Sequence, residues 1–326
     1  MEAFKKRGGK KDKTKATKAS NASNARDTDS DNDMPLDKMK DLAVDAACDD
    51  NVDSDEQSHT DILAPSPNNI LEIKTVQAST FKQVIDALKE ILMDVNLEFD
   101  DTGMKIVALD NTHVVLVHLK LDADKFESFF CEKKLFVGIN MLKLHLLIKT
   151  ISNNDVLTLF VDRNDSNRLG INIENQDKNM RTTYKLSMLD INVVRYSIPP
   201  VDFQTVITMP SVDFQKIIRD MHNLADYIEI RSVGNQITLS CKGDFCSQET
   251  IIGGDKNPGV TITKHNPSDQ EIIQGVYSLK YLSTFTKCTN MSTNVEIFFK
   301  NQYPLILSYL VSSIGIVRMA CSQQET

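Results

Sequence analysis

The strongest constraint on this chain is that it repeats itself. FKQVIDALKEI at 81–91 places Phe81, Val84, Ile85, Leu88 and Ile91 on one helical face. FQKIIRDMHNL at 214–224 places Phe214, Ile217, Ile218, Met221 and Leu224 at the same offsets, 133 residues later. A second pair follows. NMLKLHLLIKT at 140–150 lies on SLKYLSTFTKC at 278–288 with an offset of 138, and the same offset carries VLTLFVD onto NVEIFFK. Each half thus reads as strand, helix, several strands, helix, several strands, and two similar units are expected to assemble side by side.

Between the helices run short alternating or wholly apolar segments, which predict strands. They fall at 71–76, 96–99, 104–109, 114–121, 135–139, 156–162, 169–174 and 184–188 in the first half. The second half offers 204–209, 227–232, 236–241, 250–253, 271–276, 294–300 and 305–310. INVVRYSIPPVDF separates the halves, and Pro199 and Pro200 suit an extended connector because proline cannot continue a helix. The expected divisions are a tail at 1–68, one domain at 69–188, a connector at 189–203 and a second domain at 204–326.

The tail is poor in large apolar side chains and splits by charge. Residues 5–18 hold eight Lys or Arg against one Asp, and 27–61 hold thirteen acids against Lys38 and Lys40. Such a segment buries too little apolar surface to offset the entropy of ordering, so disorder is expected. Its basic block has the composition of a nuclear-import signal, a nonspecific DNA-binding arm or a solvated tail.

Composition and motifs exclude several functions. No apolar run reaches the ~18 residues of a membrane span, and MEAFKKRGGKKDKTK lacks the apolar stretch of a signal peptide, so an intracellular protein is expected. Six cysteines without regular spacing read as reduced thiols. GGDKNPG at 253–259 lacks the spacing of a phosphate-cradling loop. Cys241, Cys246 and His265 leave a fourth zinc ligand missing. No catalytic constellation stands out, so neither enzymatic activity nor a cofactor is expected.

The formal charge of −8 argues against indiscriminate nucleic-acid binding, yet its distribution matters more than its sum. Each repeated helix carries basic residues off its apolar stripe: Lys82 and Lys89, Lys143 and Lys149, Lys216 and Arg219, Lys280 and Lys287. On one surface these eight would attract phosphate without sequence preference; apart, they are ordinary solvated helix faces.

Several motifs together resemble the proliferating cell nuclear antigen family, the eukaryotic and viral sliding clamps. They are LDNTHVVLVHL, YKLSMLDINVVRYSIP, VITMPSVDFQKIIRDMHNLAD and LKYLSTFTKCTNMS, in family order across residues 70 to 320. The resemblance implies an α+β clamp fold of two similar domains, antiparallel sheets outside and two helices per domain inside. It further implies a DNA polymerase processivity factor, closing as a homotrimeric ring around double-stranded DNA. Expected partners are a DNA polymerase, a clamp loader and PIP-box peptides, in the nucleus or at a cytoplasmic viral replication site. A non-encircling or heteromeric clamp-like subunit is the alternative.

Carried over residue by residue, the eight basic residues would face DNA. The peptide pocket would use Leu109, His113, Val114, Leu116, Tyr196, Ile198, Phe203 and Pro304. Tyr184 and Leu186 would meet Phe245 and Thr250 of the next subunit. Tyr196 stands where the family has an aliphatic residue, Ala320 replaces a tyrosine, and the chain ends in CSQQET. Gly234 occupies the position of a lysine that is modified in cellular clamps.

Overall fold

Strand and helix positions follow the apolar spacing closely, and the element order is written twice. The computed structural model describes residues 66–194, 196, 201–253, 259–264 and 271–324. Residues 1–65 of the expected disordered tail, the Pro199–Pro200 pair, Ile198 and His265 lie outside these.

The first half runs β1 (Asn69–Thr75), α1 (Ala78–Leu88), β2 (Asp94–Asp100), β3 (Gly103–Leu109), β4 (Val115–Asp122), β5 (Ser128–Cys131) and β6 (Leu135–Asn140). It continues with α2 (Met141–Ile148), β7 (Asp155–Asp162), β8 (Arg168–Asn175) and β9 (Met180–Ser187). The second half repeats this order as β10 (Thr205–Pro210), α3 (Ser211–His222), β11 (Tyr227–Val233), β12 (Gln236–Lys242), β13 (Ser247–Gly253), β14 (Thr261–Lys264) and β15 (Ile273–Ser278). Then come α4 (Leu279–Phe285), β16 (Asn294–Phe299), β17 (Leu305–Val311) and β18 (Gly315–Cys321). A 3-10 segment, Thr286–Met291, follows α4 directly.

Both α1 and α3 begin earlier than the apolar spacing predicts, at the small buried residues Ala78 and Ser211. The Asn140 side chain opens α2 by accepting the Lys143 amide at 3.0 Å. β5, β14 and β18 are absent from the predicted strands. The first two are four-residue edge strands, too short to show alternation, and β18 is interrupted by Arg318.

All pairing is antiparallel. One sheet has the order β5-β1-β7-β8-β9, a second β13-β12-β11-β15, and the third is nine-stranded, β14-β10-β16-β17-β18-β4-β3-β2-β6. That long sheet joins the halves through β18 and β4, with Val317 opposite Leu119 and Met319 opposite Val117. Among the terminal strands, β9 ends the first of these sheets and β13 the second. β4 shows strict alternation, its inward residues Val115, Val117, Leu119 and Leu121 being fully buried.

The core fills the space between sheets and helices. Phe81 and Phe214, the equivalent residues of α1 and α3, are buried together with Phe285, Phe299, Tyr277 and Tyr309. Each such side chain contributes about 1.5–3 kcal/mol by leaving water. Gly103 turns β2 into β3 at φ +138°, where a Cβ would stand 2.0 Å from the Leu121 carbonyl oxygen. Among the described residues no helix is long and apolar enough to cross a membrane.

Candidate nucleic-acid interface and partner groove

The eight basic helix residues are not equally available. Lys82 is half-buried, and its ammonium donates to the carbonyls of Ile151 at 2.5 Å and Lys149 at 3.4 Å. It caps the carbonyl end of α2, where a cation is favoured by the helix dipole. Lys89 is paired with Asp86 and lies 3.4 Å from His145 Nε2. Lys287 bridges the halves by pairing with Glu90, just past the end of α1. Arg219 stands 3.6 Å from Asp220 on an exposed face, and Lys280 lies 5.8 Å from the Tyr281 ring centroid. Lys143, Lys149 and Lys216 are exposed and have no ion-pair partner among the described residues.

The local charges respond to this. The Lys89 hydrogen bond holds the Asp86 carboxyl below its ordinary range against the opposing effect of burial. Burial pulls His145 below the ordinary histidine range, Lys89 adds to this and Asp86 opposes it. His145 is therefore biased toward its neutral form.

On the sheet face turned away from the helices, a row of directly opposed residues crosses five strands. Leu109 faces Leu116, Leu116 faces Ala320, Ala320 faces Ile306, and Ile306 faces Phe298. All five are half-buried, whereas their chain neighbours Val115, Cys321, Leu305, Leu307, Ile297 and Phe299 are buried on the core side. Opposed residues share a face, so the row forms a continuous apolar floor at the junction of the halves.

Phe203 packs edge-on against Phe298 and Tyr303, with ring centroids at 5.4 and 5.8 Å, beside Pro304. At the other end Leu109 and Tyr196 line a cavity of about 360 Å³, together with Val107, Phe136 and the connector residues Ile191, Val193 and Val194. The connector is tied there by Asn96, whose side chain donates to the Ile191 carbonyl at 3.1 Å.

The 110–114 turn rims the row. Asp110 accepts amide protons from Thr112 at 3.2 Å, Val114 at 2.9 Å and Val115 at 2.8 Å. Burial raises the Asp110 pKa, but these amides and the Thr112 hydroxyl overcome it and leave the carboxyl below its ordinary range. His113 sits exposed at the tip with φ 61°. The Thr112 hydroxyl lies 2.7 Å from the Tyr281 hydroxyl, and Ser322 donates its amide to Val114 at 3.0 Å, so both halves fix the turn.

Of the pocket residues named from sequence, Leu109, Leu116, His113, Val114 and Tyr196 gather around the row's first end, and Phe203 and Pro304 around its far end. Ile306, Phe298 and Tyr303 were not among them. For Ile306 a signal was present in LILSYLV, a strand apolar at successive positions. Tyr184 and Leu186 are half-buried on the β9 edge, Thr250 half-buried on the β13 edge, and Phe245 is 79% exposed just before β13. No group of three potential metal ligands occurs among the described residues.

Family models for the N-terminal and C-terminal domains of proliferating cell nuclear antigen match residues 70–195 and 197–324. The chain belongs to the proliferating cell nuclear antigen family. It is 38% identical over 255 residues to a probable DNA polymerase sliding clamp of Paramecium bursaria Chlorella virus 1, covering 77% of this chain and 95% of the viral protein. It is 29% identical over 253 residues to the proliferating cell nuclear antigen of Chaetomium thermophilum, covering 76% and 96%. The crystal structure of the Entamoeba histolytica antigen superposes with a TM-score of 0.71 at 26% identity, over 79% of this chain and all of that one. Members of this family are processivity factors of DNA polymerases and are not enzymes.

Proposed function

We propose that three copies of this chain close head to tail into a ring that encircles duplex DNA and tethers a DNA polymerase to it. The observation that carries this reading is the β18–β4 junction inside the chain. Tyr184 stands against Ile171 of β8 as Met319 stands against Leu307 of β17, so β9 is the counterpart of β18. Ile252 stands against Ile237 of β12 as Leu121 stands against Met104 of β3, so β13 is the counterpart of β4. β9 and β13 each lie at the edge of a sheet.

Transferring the register puts Thr182 opposite Thr250, Tyr184 opposite Gln248 and Leu186 opposite Cys246 of the next subunit. The burial contrast supports the transfer. Met319 and Val117 are fully buried inside the chain, whereas Tyr184 and Gln248 remain half-exposed. Closure would remove an open sheet edge from every copy.

Within such a ring the helices form the inner wall, and enclosure replaces tight binding, so the ring slides. The Leu109–Phe298 row with the adjoining cavity accepts the apolar and aromatic anchors of PIP-box peptides on the polymerase and the clamp loader. The protein acts at sites of DNA replication.

The test is retention on nicked circular plasmid with release on linearisation, with native mass measured on the same sample. Retention at the mass of three 36.7-kDa chains is expected. Binding by a monomer or dimer that survives linearisation would favour a non-encircling subunit instead.

A further inference from the structure

The repeat makes α1 and α3 comparable position by position, because both bury an apolar stripe at the same offsets and differ in charge where they meet solvent. At an offset of 133 residues, exposed Gln83 corresponds to Lys216, Asp86 to Arg219 and Glu90 to Asn223. The same three exposed positions therefore carry two negative charges on and just past α1 and two positive charges on α3.

The lysines of α1 do not restore the balance for an approaching phosphate. Lys82 has Gln215 as its counterpart, and Gln215 does the same work, donating to the Thr286 carbonyl at 3.0 Å beyond the end of α4. Lys82 thus serves a helix terminus, and Lys89 is bound to Asp86. α3 keeps two acids of its own, Asp213 in the first turn and Asp220 beside Arg219.

The junctions differ in the same sense. Inside the chain, α1 meets the segment after α4 through Glu90 and Lys287. The counterparts of this pair are Asn223 and Lys149, so where α3 would meet the next subunit's α2 no carboxylate takes up the lysine.

We propose that the wall of the ring is electrostatically uneven: phosphate is held where Lys216 and Arg219 of one subunit meet Lys143 and Lys149 of the next, and passes α1 without contact. This rests on the encircling reading above. A duplex in the hole then engages three cationic boundaries separated by three charge-paired sectors, and its axis shifts toward a boundary.

The experiment measures affinity for a 30-base-pair duplex against salt, where each phosphate contact contributes about 0.9 to the slope of log K against log salt. Lys216→Gln with Arg219→Gln is expected to lower the slope by about one to two. Gln83→Lys with Asp86→Arg, which writes the α3 residues onto α1, is expected to raise it by a similar amount, about one to two. An unchanged slope in either double variant overturns the proposal. All four positions are exposed, so folding is spared, and native mass checks assembly. Retention of the unsubstituted protein on circular plasmid separates the two ideas: its loss sinks the ring, while retention with unmoved slopes sinks only the uneven wall.

Discussion

The backbone N–H of Leu189 donates to the Gly138 carbonyl at 2.8 Å, and a Cβ on Gly138 would stand 2.1 Å from the Leu189 carbonyl oxygen. The start of the connector is thereby laid against the β6 edge. The second half makes the same contact between Gln324 and Val276, at 2.9 Å. In the first half the chain continues over the cavity that Tyr196 and Leu109 line.

Gly138→Ala is therefore expected to push the connector outward and to loosen the Asn96 bond to Ile191. A destabilisation of about 1–3 kcal/mol is expected from the overpacking, with peptide affinity reduced at least several-fold. Urea unfolding and titration with a labelled PIP-box peptide check both. Undiminished affinity would show that connector placement does not shape the groove.

Ile306 lies mid-row, between Ala320 and Phe298. Ile306→Ala should weaken peptide binding by about 1–2 kcal/mol, or roughly 5- to 30-fold, while native mass stays constant. A dissociation constant equal to that of the unsubstituted protein would place the peptide elsewhere.

The transferred register predicts that Thr182→Cys with Thr250→Cys forms disulfides between subunits on mild oxidation. Directly opposed strand residues bring Cβ atoms within about 4.5–5.5 Å, and a denaturing gel should then show a three-chain ladder. Tyr184→Ala should shift native mass toward single chains. Crosslinking confined to a neighbouring register, or an intact trimer of the Tyr184 variant at high dilution, would contradict the assigned boundary.

Asp100 ends β2 at the turn into β3, where Lys105 reaches it at 2.8 Å. Burial raises its pKa, but Lys105 and Thr102 more than reverse this and bring it to about 2. A depressed carboxylate pKa stabilises the fold fully above the unfolded value of about 3.9 and loses that contribution as pH falls through the folded value. Asp100→Asn should therefore cost about 2 kcal/mol at neutral pH, with the difference vanishing between about pH 4 and pH 2. A constant difference across that window in chemical denaturation would refute the assignment.

The helix repeat, the strand order and the turn after β3 were legible because they depend on local spacing and short-range turns. Phe81 and Phe214 announce the same buried face, and Asp110 with Asn111 announces a turn. Ile306 and Phe298 were harder to see. Their place in the row depends on strands more than 170 residues from Leu116 coming into line beside it, which no local period records.

The amino-acid order alone fixed that this chain builds one half-unit twice and places lysine or arginine on every repeated helix. Only tertiary structure decided which of those charges remain free. Whether Lys82, Lys89 or Lys287 can reach a phosphate depends on the Ile151 carbonyl, Asp86 and Glu90 lying within bonding distance. A short-range electrostatic partner is set by distance in space, and folding brings Glu90 to Lys287 across nearly two hundred residues of chain.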